Sequence, residues 1–128
     1  MQILLVYSIP TGVLTMGSST IYRAGYSGHG PGLNNPAMCN VHDVGPLPAG
    51  GYAVEDAIEP DTHLGPFAFP LIPDPENEMF GRNGFYIHGD NAEMNHSASD
   101  GCIILPRMVR SRIALMLLAG PVRLGVTA

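Results

Sequence analysis

Positive charge is what this chain has least of: six arginines and lysines together, against eleven acidic residues, giving a formal net charge of −5 over 128 residues. A protein that grips a nucleic-acid backbone needs a basic face. Six cations cannot build much of one, so general nucleic-acid binding is excluded. Charge of either sign is sparse, at 13% of residues, and the surface falls to Asn, Ser, Thr, His and backbone. No apolar run approaches the roughly 18 residues of a membrane-spanning helix, so membrane insertion is not expected. The opening Met1-Gln2-Ile3-Leu4-Leu5-Val6-Tyr7 has neither a basic n-region nor a small-residue cleavage site, and reads as a strand rather than a signal peptide. Work outside the cytoplasm would then need another route of export. Cysteines number two, Cys39 and Cys102. In an exported protein they could form a disulfide, but a reactive Cys102 must stay free. Cys39 reads as a small buried hydrophobe.

The chain is rich in turn formers: 16 glycines and 12 prolines favour a turn-rich β architecture over helices. Hydrophobic content of 45% excludes disorder, and the length suits one compact domain over 1–128. Strands are expected at Ile3 to Tyr7, Val13 to Met16 and Ile21 to Gly25, the first two joined by a turn at Pro10-Thr11-Gly12. Ser27 to Gly51 is almost all turn signal, and so long a loop inside a compact domain is rarely idle. It is expected to form one fixed wall of a cleft. Tyr52 to Ile58 and Phe67 to Ile72 read as strands, the second an edge or bulged strand because of Pro70. Asp74 to Gly84 reads as a polar loop and Phe85 to His88 as a further strand. Pro106 to Leu118 is the one convincing helix, with Val109, Ile113, Met116 and Leu117 on its apolar face and Arg107, Arg110 and Arg112 away from it. Gly120 and Pro121 stop it, and Val122 to Val126 closes as a strand. The result is a mainly antiparallel β domain with one C-terminal helix.

Chemistry concentrates in two short runs, Ile87-His88-Gly89-Asp90 and Ser97-Ala98-Ser99-Asp100-Gly101-Cys102-Ile103-Ile104. A histidine within reach can take the proton of a thiol, and the thiolate is a strong nucleophile. Glycines beside both residues permit tight turns and close approach to a substrate. The flanking apolar residues would hold the two groups at a sheet edge. Backbone N–H groups in the Ser99-Asp100-Gly101 turn, with that of Cys102, could form an oxyanion hole.

These runs resemble the catalytic signature of the L,D-transpeptidases of the YkuD-like superfamily: His, a spacer, then Ser/Thr-His-Gly-Cys. Asp100 stands where most members have histidine, and Ile104 where many have asparagine. Both departures resemble one branch, the L,D-transpeptidase-like effectors delivered between bacteria by type VI secretion. Tyr7-Ser8, Thr11-Gly12-Val13-Leu14, Gly25-Tyr26-Ser27-Gly28-His29-Gly30, Asn34-Asn35-Pro36 and Val44-Gly45-Pro46-Leu47-Pro48 extend the likeness over nearly the whole chain. The resemblance implies a β-sandwich catalytic fold, with Cys102 as nucleophile and His88 as base. It also implies a backbone carbonyl, rather than a carboxylate, orienting the second imidazole nitrogen.

Other residues carry open alternatives. Asp100 could orient His88 or another donor, bind a substrate ammonium, or cap its own turn. Asp90 is expected to form a turn near the substrate rather than act as an acid. His29 is a candidate cleft residue that could equally be surface; His42, His63 and His96 are expected to be exposed. Arg23, Arg82 and Arg107 could grip a substrate carboxylate in bidentate fashion, Arg107 being the best placed. By resemblance the substrate is the tetrapeptide stem of Gram-negative peptidoglycan. Loss or exchange of its terminal D-alanine would run through a Cys102 acyl-enzyme, with no metal or organic cofactor. The same branch implies an immunity protein as partner and a target cell's periplasm as the place of action. Rival readings are a housekeeping or phage-associated wall enzyme, a non-catalytic peptidoglycan binder, and a zinc domain. No pair has common zinc-ligand spacing.

Overall fold

The computed structural model describes residues 2–58, 68–90 and 93–128. Its nine strands are β1 (Ile3–Ser8), β2 (Leu14–Met16), β3 (Ser19–Tyr22), β4 (Tyr26–Ser27), β5 (Gly50–Val54), β6 (Phe69–Pro73), β7 (Tyr86–His88), β8 (Ile103–Ile104) and β9 (Val122–Thr127), with one helix, α1 (Arg107–Ala119). They form a sheet in the order β3-β2-β1-β9-β5-β6-β7-β8-β4. Pairings are antiparallel except β1 with β9 and β7 with β8. The expected mainly antiparallel domain with one helix is what the chain forms.

Alternation makes the core. Leu5 and Tyr7 of β1 and Val122, Leu124 and Val126 of β9 point inward at every second position, each at most 4% exposed. They join Tyr52, Phe69, Leu71, Ile87, Ile103 and, from α1, Val109 and Ile113 in one cluster. Both halves of the sheet feed that cluster, so the sheet curls around it.

Strand β6 is the corner. Its C-terminal half, Leu71 to Pro73, pairs with β5, and its N-terminal half, Phe69 and Pro70, pairs with β7. Of the two expected alternatives, edge or bulged, the edge fails: β6 has a partner on each side, and Pro70 sits where pairing passes from one to the other, its carbonyl accepting the Glu55 N–H at 2.9 Å. The strand expected over Tyr52 to Ile58 stops at Val54, and Ile58 makes only an isolated bridge to Ala68. Phe67, the expected start of β6, and His63 lie outside the described residues.

A second correction concerns α1. Arg107 and Arg112 are exposed as expected, but Arg110 is 7% exposed and lies on the buried face with Val109 and Ile113. Its Nε donates to the Leu105 carbonyl at 3.0 Å. The aliphatic stem fits an apolar face while the head finds a carbonyl, which a hydropathy pattern does not register.

Candidate active site

Strands β7 and β8 run parallel with Ile87 opposite Ile103 and His88 opposite Ile104. Side chains alternate between faces, so Ile87 and Ile103 enter the core and His88 and Ile104 take the other face. Cys102, one residue ahead of β8 and two before Ile104, falls on that same face. The two reactive groups are thus brought to one side of adjacent strands, although fourteen residues apart in sequence.

His88 is 6% exposed, and its Nδ1 lies 2.9 Å from the Gly89 carbonyl. A carbonyl only accepts, so Nδ1 is the donor in this contact, and in the neutral ring the basic nitrogen is then Nε2. The Gly89 position has little room: a Cβ there would stand 2.6 Å from the Arg110 guanidinium.

The Cys102 Sγ accepts the Tyr86 N–H at 3.3 Å, and the Gly84 carbonyl lies 3.9 Å away. Burial pushes this thiol up to about 11; the Asp100 carboxylate adds to the rise, while the Tyr86 N–H and the Arg82 guanidinium oppose it. A cleft of about 370 Å³ opens at Cys102, walled by His42 and Asp43, by the segment 81–85, and by Asp100. The pair His42 and Asp43 belongs to the long loop, which therefore lies on the side of Cys102. His42, expected merely to be exposed, is exposed and also lines this cleft, its Nε2 2.9 Å from the Phe80 carbonyl.

The turn into Cys102 is braced from below. Ser99 is fully buried, and its hydroxyl accepts the N–H groups of Gly28 (2.9 Å) and Gly101 (3.1 Å) while donating to the Cys102 carbonyl at 2.5 Å. That set of bonds makes Ser99 a brace for the turn. It also occupies the Gly101 N–H, so an oxyanion would look to the N–H of Cys102. Gly101 holds φ +137°, where L side chains are strained, and a Cβ would meet the Arg82 and Phe85 side chains at 2.6 Å.

Asp100 turns outward with its side chain 74% exposed, and its carboxylate lies 3.5 Å from the His29 Nδ1. That nitrogen is 2.8 Å from the Ser99 carbonyl. His29 thus docks on the nucleophile's turn from the loop side, and Asp100 faces His29. Asp90 accepts from the Tyr26 hydroxyl at 2.7 Å, and the same hydroxyl accepts the Ala98 N–H at 3.1 Å. Tyr26 therefore ties the end of the histidine run to the start of the cysteine run. Arg107 sits exposed on the first turn of α1 and is not among the residues lining the Cys102 cleft.

One role escaped the sequence reading and another was misassigned. Ser27, fully buried, donates to the Gly101 carbonyl at 2.8 Å and accepts the Leu47 N–H at 3.1 Å. It stood inside the Gly25 to Gly30 motif, and a hydroxyl between β-forming and glycine residues was the available signal. Arg82 is not the carboxylate grip considered above, because its donors are spent on four carbonyls: Cys39 (2.6 Å), Pro46 (2.7 Å), Gly45 (3.0 Å) and Asp100 (3.1 Å). Both cysteines are free thiols. Among the described residues no three of His, Cys, Asp and Glu converge as a metal ligand set. No described helix is long and apolar enough to cross a membrane.

The raised thiol sets a pH test. Iodoacetamide modifies thiolates, so the rate at Cys102 is expected to climb about tenfold per pH unit from neutrality toward pH 11, with Cys39, 8% exposed, lagging throughout. A plateau already at pH 7 would reveal a resting thiolate–imidazolium pair and contradict the neutral thiol. Stability follows the same proton. With the folded thiol near 11 and the unfolded reference at 9.0, its contribution is full below pH 9 and is lost as pH rises through 11.

Comparison with known proteins converges on one family. The profile of the Tlde1 domain matches residues 22–122. Among solved structures, the LD transpeptidase LdtMt1 in complex with imipenem superposes with a TM-score of 0.52 at 16% identity, over 98% of this chain and 58% of that one. An L,D-transpeptidase from Mycobacterium smegmatis gives 0.51 at 18% identity, over 98% and 58%. Mycobacterium tuberculosis L,D-transpeptidase 1 gives 0.51 at 15% identity, over 99% and 62%. The chain thus spans about three fifths of those proteins, and at these identities the likeness is one of fold. Among curated proteins none matches. With most of its length covered by that profile, on a fold shared with L,D-transpeptidases, the chain belongs to the Tlde1 domain family.

Proposed function

We propose that this protein is a cysteine-dependent peptidoglycan enzyme acting on tetrapeptide stems. The observation that carries the reading is the placement of Cys102 and His88 on one face of β7 and β8, with Cys102 at a cleft, in a Tlde1 domain. His88 Nε2 takes the Cys102 proton as sulfur attacks the carbonyl carbon of the stem's third residue. Because burial keeps the resting thiol neutral, proton transfer accompanies attack and does not precede it. The Cys102 N–H faces the oxyanion. Collapse expels D-alanine, whose amine receives the proton from His88, and leaves a thioester on Cys102. Water then releases a tripeptide stem, or the amine of a D-amino acid forms a new peptide bond. Neither step calls for a metal or organic cofactor.

Stems so altered can no longer serve as donors for cross-linking, which is the effect an antibacterial effector needs. We read the protein as one delivered by type VI secretion into the periplasm of a Gram-negative cell. A producing cell would guard itself with a cognate immunity protein. Incubating the purified protein with disaccharide tetrapeptides, with and without a D-amino acid, is expected to give a mass loss of one alanine residue, or its replacement by the added residue. An unchanged stem under both conditions would overturn the assignment.

A further inference from the structure

Arg82 is the least expected charge in the molecule. It is 7% exposed, and among the described residues no carboxylate pairs with it. A buried cation without a counter-ion is costly. Burial accordingly pulls its guanidinium below the ordinary arginine range, although the Asp43 carboxylate, beyond ion-pair distance, pulls the other way. The cost is met by carbonyl dipoles drawn from two places. Cys39, Gly45 and Pro46 belong to the long loop, whereas Asp100 lies two residues before Cys102. The planar head packs 5.1 Å from the centre of the Phe85 ring, and its presence leaves no space for a side chain at Gly101. Arg82 and Cys102 line the same cleft.

We propose that Arg82 is a positioning residue for Cys102, a buried guanidinium that locks the nucleophile's turn to the long loop and holds an unpaired positive charge at the cleft where negative charge develops. Carbonyls satisfy its hydrogen bonds but do not neutralise it. The Asp43 carboxylate attracts it from beyond ion-pair distance, and the anions that form transiently at the cleft, thiolate and then oxyanion, add to that attraction. Asp100 from the turn opposes Arg82 at the sulfur, Asp43 and His42 from the loop line the same cleft, and His88 stands on the same face of β7. A permanently charged guanidinium, unlike an imidazole, keeps its sign through the neutral range.

This inference rests on Cys102 being the nucleophile, yet its test reads the thiol itself and needs no peptidoglycan. Alkylation of Cys102 is followed against pH by mass spectrometry in wild type, Arg82→Lys, Arg82→Gln and Arg82→Met, each shown to be folded by circular dichroism. The neutral variants are expected to shift the profile to higher pH and to slow labelling at pH 8 about tenfold. Arg82→Lys, which keeps the charge but cannot span four carbonyls, is expected to melt earlier with a profile near wild type. A folded neutral variant with the wild-type profile would overturn the electrostatic role and leave Arg82 a structural tie. The unmodified protein gives an independent reading. Anionic iodoacetate is expected to lose no more speed relative to neutral iodoacetamide at Cys102 than it does on free cysteine, despite the net charge of −5. A rate ratio tenfold lower than on free cysteine would mean that the acids, not Arg82, govern the sulfur's field. If turnover fails while these profiles behave as described, the proposed reaction falls and the role of Arg82 stands.

Discussion

Cys102→Ala is expected to abolish acyl transfer while leaving the fold standing. The side chain is only partly exposed and lines a cleft, so removing one sulfur atom opens little new cavity. Its bonds are weak ones, to the Tyr86 N–H and the Gly84 carbonyl. Chemically the loss is complete: no other group at that cleft can form a thioester, and His88 without a thiol has no proton to take. The drop in turnover should be roughly ten-thousand-fold or more, the scale seen when a nucleophile that works as a unit with its base is deleted. Turnover of muropeptides within tenfold of wild type, in a variant with unchanged circular dichroism, would end the covalent mechanism.

Ser99→Ala is expected to act in the opposite manner, on the fold first and the chemistry second. One hydroxyl serves the N–H groups of Gly28 and Gly101 and the carbonyl of Cys102, all in buried surroundings. Alanine fills the space but satisfies none of them. Orphaned buried groups carry most of their desolvation cost, so destabilisation of about 2–4 kcal/mol is expected, with a fall in Tm of about 10 °C for a domain of this size. The turn that aims Cys102 should loosen with it, so alkylation of Cys102 should lose its separation from that of Cys39. A Tm within two degrees of wild type would show that water replaces the hydroxyl and that the brace is dispensable.

The two cases show where sequence was enough. Periodicity found β1, β7, β9 and α1 because each buries one face, and alternation or a helical stripe records that directly. The placement of Cys102 and His88 on one face was readable because the flanking glycines and apolar runs are local. Strand β4 was missed, since two residues carry no period. The corner role of β6 was missed because Pro70 argues for an edge unless one knows that the missing donor costs nothing there. Arg82, Arg110, Ser27 and Ser99 share another cause of illegibility. Their partners are mostly backbone carbonyls and N–H groups, which look alike at every position, so no residue pattern announces the bond. Ser99 was recognised as part of the turn, but its task of bracing from below only emerged from the atoms it touches.

The place of β9 in the sheet has a consequence for how the chain reaches this state. The strand nearest the C-terminus is inserted between β1 and β5, with six register pairs to β1 and five to β5. Neither neighbour can pair across the gap in its absence. A nascent chain therefore carries two open strand edges, on β1 and β5, until β9 is available, and such edges invite association with other chains. Because Ile3 meets Val122, closure is a long-range event, and long-range pairing is slow. A chain shortened by those few residues would not be a slightly weaker protein but two unjoined half-sheets. The loop walling the Cys102 cleft ends where β5 begins at Gly50, and there β9 adds a second neighbour to the border already held by β6 and Asn77.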